Sequence, residues 1–262
     1  YIYHKNNQIL KVIFIGTGTS QGVPVITCTC NVCMSNDMKD KRLRSSILVE
    51  IHDKTMVIDA GPDFRQQMIR EQIKHLDAVL ITHGHKDHIG GLDDVRAYNY
   101  VSRKPMDVYA SSEAAENIKR DFFYVFEKQQ YPGIPKINLV EIQNDPFMVE
   151  EIEVIPVQVD HMYLKIFGFR IGSLTYITDC NNIPPEEMEK IFGSKVLIVN
   201  ALRMKPHVSH FSLPEALNVI EMINPERAYI THISHQLGMH EEVSAGLPEN
   251  VFLGYDGLEI EV

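Results

Sequence analysis

The chain has 262 residues, 44% hydrophobic and 23% charged, a balance that lets it bury a sizeable core. Lys and Arg number 25 against 35 Asp and Glu, a formal net charge of −10, which argues against an extended nucleic-acid surface. No apolar run reaches the roughly 18 residues of a membrane span, so no membrane partner is expected, and an anionic substrate needs local positive charge from metal ions or a few placed basic side chains.

The opening, YIYHKNNQILKV, does not read as a secretion signal. A first strand over Leu10–Ile15 runs into Gly16-Thr-Gly-Thr-Ser-Gln-Gly22 and then three close cysteines, Cys28, Cys30 and Cys33. The glycine spacing fits neither a dinucleotide fingerprint nor a P-loop. The Cys30-Asn-Val-Cys33 pair lacks the strand–helix setting of a redox motif. Three thiolates can hold zinc if a fourth ligand arrives from elsewhere, and His235 is the best candidate. Such crowding suits a metal better than a disulfide framework and points to a reducing compartment, the cytoplasm by default.

Further strands are expected at Ser46–Ile51, Thr55–Asp59, Ala78–Ile81, Asp107–Tyr109, Ile152–Val159, Phe167–Ile171, Leu174–Thr178, Lys195–Val199, Arg227–Ile230 and Leu258–Val262, being short, β-branched and bounded by turn residues. Helical patterns cover Pro62–Lys74, Ser112–Phe126, Pro184–Ile191, Leu213–Ile223 and Gly238–Ser244. Ser212-Leu-Pro-Glu215 has the form of a capped helix start. With no repeat or linker, residues 1–262 read as one α/β domain with its motifs at strand ends, where an open sheet edge offers a site.

The central motif follows Ala78–Ile81: His83-x-His85-x-Asp87-His88. Three imidazoles and a carboxylate in six residues suit neither a core nor a solvated loop. The spacing is not His-Glu-x-x-His, so it is not a one-helix zinc protease site. Alternating ligands on a tight turn can face two ways, so one ion can take His83 and His85 and a second Asp87 and His88, with Gly84, Gly90 and Gly91 freeing the turn. His161, Asp179 and His232, each just past a later strand, extend these to a dinuclear set. Asp179 is the bridging candidate, because one carboxylate can join two ions.

This ordered set, with Asp59 in Val57-Ile-Asp-Ala-Gly61, resembles the metallo-β-lactamase superfamily. The resemblance implies a four-layer αββα sandwich of two mixed sheets. It implies one ion on His83, His85 and His161, a second on Asp87, His88 and His232, Asp179 between them, and a bridging hydroxide as nucleophile. Asp59 would orient the ligand loop from behind. GTGTSQGVP, the cysteine triplet and Thr231-His-Ile-Ser-His-Gln-Leu237 narrow the resemblance to the cyclic phosphodiesterases related to phosphoribosyl 1,2-cyclic phosphodiesterase. That branch implies a closed zinc site on Cys28, Cys30, Cys33 and His235, and a catalytic histidine at His210.

The expected activity is hydrolysis of small, cyclic phosphodiesters with two divalent ions, zinc or manganese. A tRNA 3′-processing endonuclease is the nearest rival, weakened by the acidic charge and the lack of a Gly/Pro-rich arm. A non-catalytic metal-binding protein is the rival from another class, and it needs no open ligand position. Cys180 reads as a buried small hydrophobe. The run Asp121–Phe126 reads as core or homodimer surface, and His4, His52, His75, His207 and His240 as surface.

Overall fold

The computed structural model describes residues 10–128 and 131–262; His4 lies outside them. The strands in chain order are β1 (Lys11–Gly16), β2 (Ser46–Ile51), β3 (Lys54–Ile58), β4 (Ala78–Leu80), β5 (Met106–Ala110) and β6 (Ile137–Glu141). They continue with β7 (Phe147–Val149), β8 (Ile152–His161), β9 (Leu164–Ile171), β10 (Leu174–Ile177), β11 (Val196–Asn200), β12 (Arg227–Thr231), β13 (Val251–Leu253) and β14 (Glu259–Glu261). The helices are α1 (Asn31–Met34), α2 (Phe64–Arg70), α3 (Lys86–Ile89), α4 (Arg96–Ser102), α5 (Ser112–Asp121), α6 (Phe123–Phe126), α7 (Pro185–Ile191), α8 (Leu213–Ile223) and α9 (His240–Ser244). Among the described residues they form two seven-stranded sheets, ordered β14-β1-β2-β3-β4-β5-β6 and β13-β12-β11-β10-β9-β8-β7. Each is mixed: β3 to β6 and β10 to β13 pair in parallel, the remaining neighbours antiparallel.

Alternation within each strand builds the layers. Val12 and Phe14 of β1, Ile47 and Val49 of β2, and Met56 and Ile58 of β3 face the other sheet, meeting Phe169, Tyr176, Ile198 and Tyr229. Their neighbours Ile13, Ile15, Leu48 and Val57 face outward under α2 (Phe64–Arg70) and α5 (Ser112–Asp121). On the far side, Leu197, Val199 and Ile230 pack under α7 (Pro185–Ile191) and α8 (Leu213–Ile223). Strands buried on both faces explain the near-continuous apolar runs in the sequence. The expected αββα sandwich is the observed architecture.

Several element boundaries move. The first long helix shrinks to Phe64–Arg70, because Pro62 and Asp63 form its entry turn. The Ser112–Phe126 pattern breaks at Phe122, whose φ of −116° and ψ of 39° leave helical space, into α5 and α6 (Phe123–Phe126). Phe122 and Val125 of that run are buried in the outer core. β6, β7 and β13 go unseen in the sequence, as does α4 (Arg96–Ser102); three-residue strands and edge strands with exposed faces carry little periodic signal. The start of α8 is as read: the Ser212 backbone N–H donates to Glu215 at 2.8 Å in a capping box.

Candidate metal centres

The parallel strands deliver the chemistry at their carboxyl ends. Asp59 follows β3, the His83–His88 loop follows β4, Asp179 follows β10 and His232 follows β12. Asp59, Asp179 and His232 all adopt left-handed backbone, with φ of 69°, 58° and 54°. That conformation is costly for a residue with a side chain and clusters at functional positions. Here it turns the chain sharply at the strand end, so each side chain enters a shared space. Gly84, Gly90 and Gly91 are not left-handed, contrary to the freedom expected of them. They serve close approach instead: a Cβ on Gly91 would lie 2.1 Å from the Gly61 carbonyl, and one on Gly84 would lie 2.3 Å from the Asn117 side chain.

Four overlapping triads bring ligand atoms together: His83, His85 and His161; His83, His88 and Asp179; His161, Asp179 and His210; and Asp87, Asp179 and His232. Asp179 sits in three of them, the position expected of a bridge. Its Oδ1 lies 2.8 Å from His232 Nδ1 and its Oδ2 lies 3.2 Å from His88 Nε2. His83 Nε2 is 3.0 Å from His85 Nδ1. The Nε2 atoms of His88, His210 and His232 are buried with no hydrogen-bond partner among the described residues. Buried ring nitrogens left open beside carboxylates fit a divalent cation.

Groups behind the ligands fix their orientation. Asp59 is fully buried and its Oδ2 lies 2.7 Å from His88 Nδ1, while its Oδ1 accepts from the Thr82 N–H at 2.8 Å. The Ser209 carbonyl oxygen is 2.9 Å from His161 Nδ1. Thr178 Oγ1 donates to Asp179 Oδ1 at 2.7 Å. Such partners fix the tautomer that leaves the opposite nitrogen free for metal. Thr82, Thr178 and Ser209 carry no sequence signal beyond adjacency to ligands, and only the structure finds them.

The electrostatics ask for positive charge. Burial tends to neutralise His88, but Asp179, Asp87 and Asp59 outweigh it and hold the ring well above its usual pKa. Burial likewise opposes ionisation of Asp179, yet His232 and His88 keep its carboxyl well below the usual range. His83, by contrast, is pushed well below its usual pKa by burial and by the His88 charge, toward the neutral form that binds metal, and a divalent ion at the open nitrogen of His88 would take the place of that ring's extra proton.

His210 stands at the edge of this cluster. Its ring stacks on His232 at 4.8 Å and 14°, and its Nε2 lies 3.6 Å from Asp179 Oδ2. Burial pushes its pKa down to about 4 despite Asp179. Its Nδ1 meets Ser209 Oγ at 2.8 Å and His207 Nδ1 at 3.3 Å. His207 therefore abuts the site rather than lying on open surface. His240 is also no surface residue: it is buried, 3.1 Å from the Arg42 guanidinium. His75 pairs with Asp77 at 2.9 Å, and Cys180 is fully buried as read.

The second centre answers the glycine-rich stretch. Gly18 bridges to both Arg44 and Ile233, and the Ile233 N–H donates to the Thr17 carbonyl at 2.8 Å. A Cβ on Gly16 would lie 1.9 Å from the Arg44 carbonyl. These glycines let backbones touch, and the contact carries the cysteine loop to the loop after β12. There the sulfurs of Cys28, Cys30 and Cys33 lie 3.2, 3.4 and 3.5 Å from His235 Nδ1. Tetrahedral zinc with ordinary bond lengths places sulfur and nitrogen about 3.5 Å apart, so the four donors fit it.

Beside His83 and His85 opens a cleft of about 300 Å³, walled by Ser111, Glu113 and Asn117 on one side and Tyr163 and Lys165 on the other. No helix among the described residues is long and apolar enough to cross a membrane.

Residues 54–233 match the beta-lactamase superfamily domain. The chain belongs to the metallo-β-lactamase superfamily. Within it the chain falls in the PhnP-like branch: it is 38% identical to a diphosphatase of the PhnP family, with a TM-score of 0.91 over 97% of each chain. An octanoyltransferase of Porphyromonas gingivalis is 41% identical over 95% of this chain, which spans only 51% of that relative. Zn²⁺-bound PqqB from Methylobacterium extorquens shares the fold at 19% identity and a TM-score of 0.79, covering 96% of this chain and all of that one.

Proposed function

We propose that this chain is a metal-dependent phosphodiesterase acting on small, cyclic phosphodiesters. One observation carries the reading: ligand atoms of His88, His210 and His232 gather around Asp179, each of these rings has a buried Nε2 without a hydrogen-bond partner among the described residues, and the adjoining His83 and His85 line a cleft sized for a small molecule. His83, His85 and His161 would hold one divalent ion, Asp87, His88 and His232 a second, and Asp179 would join them. Zinc or manganese bound there would supply Lewis acidity toward a phosphoryl oxygen and a water made acidic near neutral pH.

The chain's own residues do the rest. Asp59 and the Ser209 carbonyl orient His88 and His161. With Ser209 Oγ donating to Nδ1, the neutral His210 ring carries its proton on Nε2. From Nε2 it offers a hydrogen bond to the departing ester oxygen, and it delivers a proton only as the imidazolium, the form that Asp179 and a bound phosphoester favour against burial. The Cys28, Cys30, Cys33 and His235 set would hold a structural zinc, since four protein ligands leave no open position.

A second reading, hydrolysis of a P–O–P diphosphate, is favoured by the likeness to the PhnP-family diphosphatase. Octanoyl transfer is set aside: this chain spans only 51% of the relative of that name, and the histidine and aspartate cluster beside the cleft suits metal-dependent hydrolysis. The deciding experiment is a panel on metal-loaded protein: ribosyl cyclic phosphate, cyclic nucleotides, linear diesters, diphosphates, precursor tRNA and a β-lactam. Turnover of cyclic diesters above the others supports the proposal. Cleavage of tRNA or diphosphate alone overturns it.

A further inference from the structure

The turn between β8 and β9 carries two large apolar side chains in solvent: Met162, 50% exposed, and Tyr163, 84% exposed. Leaving an aromatic ring so bare costs hydrophobic free energy, and Tyr163 lines the cleft beside His83 and His85. The turn is held from several sides. The Met162 N–H donates to Asn181 Oδ1 at 2.7 Å, and the Asn182 amide donates to Asp160 at 2.8 Å. Lys165 closes on Asp160 at 2.5 Å, and Asp160 and Asn182 exchange a backbone bridge. Asn181 and Asn182 lie two and three residues past Asp179, so the hairpin tip is pinned to the strand end that bears the central carboxylate.

A third exposed apolar side chain, Val208 at 72%, neighbours Ser209, whose carbonyl meets the His161 ring. His161 is thus flanked by Tyr163 two residues on and by Val208 through its hydrogen-bonded loop. The cluster of ligands is polar, and Tyr163 sets an aromatic ring on the cleft beside it.

We propose that Tyr163 is a specificity-determining residue that stacks on an aromatic substituent, a nucleobase or aryl group, of the phosphoester whose phosphoryl group sits at the histidines. The proposal rests on the phosphodiesterase reading for the position of that phosphoryl group. A flat ring held on a pinned turn loses little freedom on stacking, and ring–base contact is tolerant of base identity. The chain then selects for the presence of an aromatic group rather than for one base.

The test is calorimetric titration of metal-loaded protein with adenosine 5′-monophosphate and with ribose 5-phosphate, using wild type, Tyr163→Ala and Tyr163→Phe. Stacking is expected to make the nucleotide bind tighter than the sugar phosphate in wild type. Tyr163→Ala should weaken nucleotide binding about tenfold, within the range of one base–aromatic stack, and leave ribose 5-phosphate unchanged. Tyr163→Phe should keep the wild-type preference. Equal nucleotide affinity in wild type and Tyr163→Ala overturns the proposal, as does a wild type without preference. Selective nucleotide binding without turnover of any phosphodiester would sink the function proposed above and leave the role of Tyr163 standing.

Discussion

Asp59 grips one side of the His88 ring at 2.7 Å, and the opposite ring nitrogen lies 3.2 Å from Asp179 with no hydrogen bond. A fully buried carboxylate thereby sets which nitrogen of His88 is free. Asp59→Asn keeps an acceptor for the Thr82 N–H but loses the carboxylate partner of His88. Metal affinity should fall roughly 10–100-fold, the usual effect of removing such a partner. Chelator competition measures it, and unchanged affinity would show that the ring is oriented by packing alone.

Asp179→Ala removes the carboxylate shared by three of the four ligand triads. Elemental analysis of the purified variant should find fewer than two ions in the His/Asp centre, together with loss of turnover. A variant with one ion and full activity would refute the dinuclear proposal.

His210→Ala should retain both ions and lower kcat by roughly 10²–10⁴, the span of general acid catalysis. Diesters with a nitrophenolate leaving group need less protonation and should lose less. Because His210 also forms a triad with His161 and Asp179, metal content decides the matter: a lost ion makes His210 a ligand.

Cys30→Ser should strip zinc from the Cys/His centre, since metal binding there is coupled to folding. In a chain of this size each kcal/mol lost should lower the melting midpoint by roughly 2–4 °C. An unchanged midpoint with unchanged zinc content would defeat the structural assignment.

His240 predicts a pH effect. Burial, with Arg42 and Lys39, pushes its pKa down to about 4 against the pull of Asp37 and Asp40. An unfolded histidine titrates near 6.5. Between these values the unfolded chain binds the extra proton, so this contribution is full above about pH 6.5 and is lost as pH falls toward 4. His240→Asn should lose less stability between pH 7.5 and pH 5 than wild type does. Parallel curves would assign the acid sensitivity elsewhere.

Much of this was legible in the sequence because the ligands are short-range in chain and rare in kind. His83, His85, Asp87 and His88 announce themselves within six residues, and His161, Asp179 and His232 stand at the ends of readable strands. The sandwich itself was legible through family resemblance more than through periodicity. What escaped depends on tertiary approach. The Arg42–His240 contact joins residues 198 apart, and the Ser209 carbonyl gains its role only when the loop folds onto His161. Tyr163 looks ordinary in sequence and becomes notable only as a bare ring at a cleft.

The Cys/His centre also has a timetable. Cys33 and His235 lie 202 residues apart, so the thiols leave the ribosome long before their fourth partner exists. At ordinary rates of synthesis the wait is roughly 10–40 s. Throughout that interval the cysteine loop is an incomplete chelate that also lacks the Ile233 backbone on which Gly18 docks. The cysteine loop is made before the His83–His88 loop yet can close only after His232 has followed, and its closure marks a chain whose β12 has already taken its place.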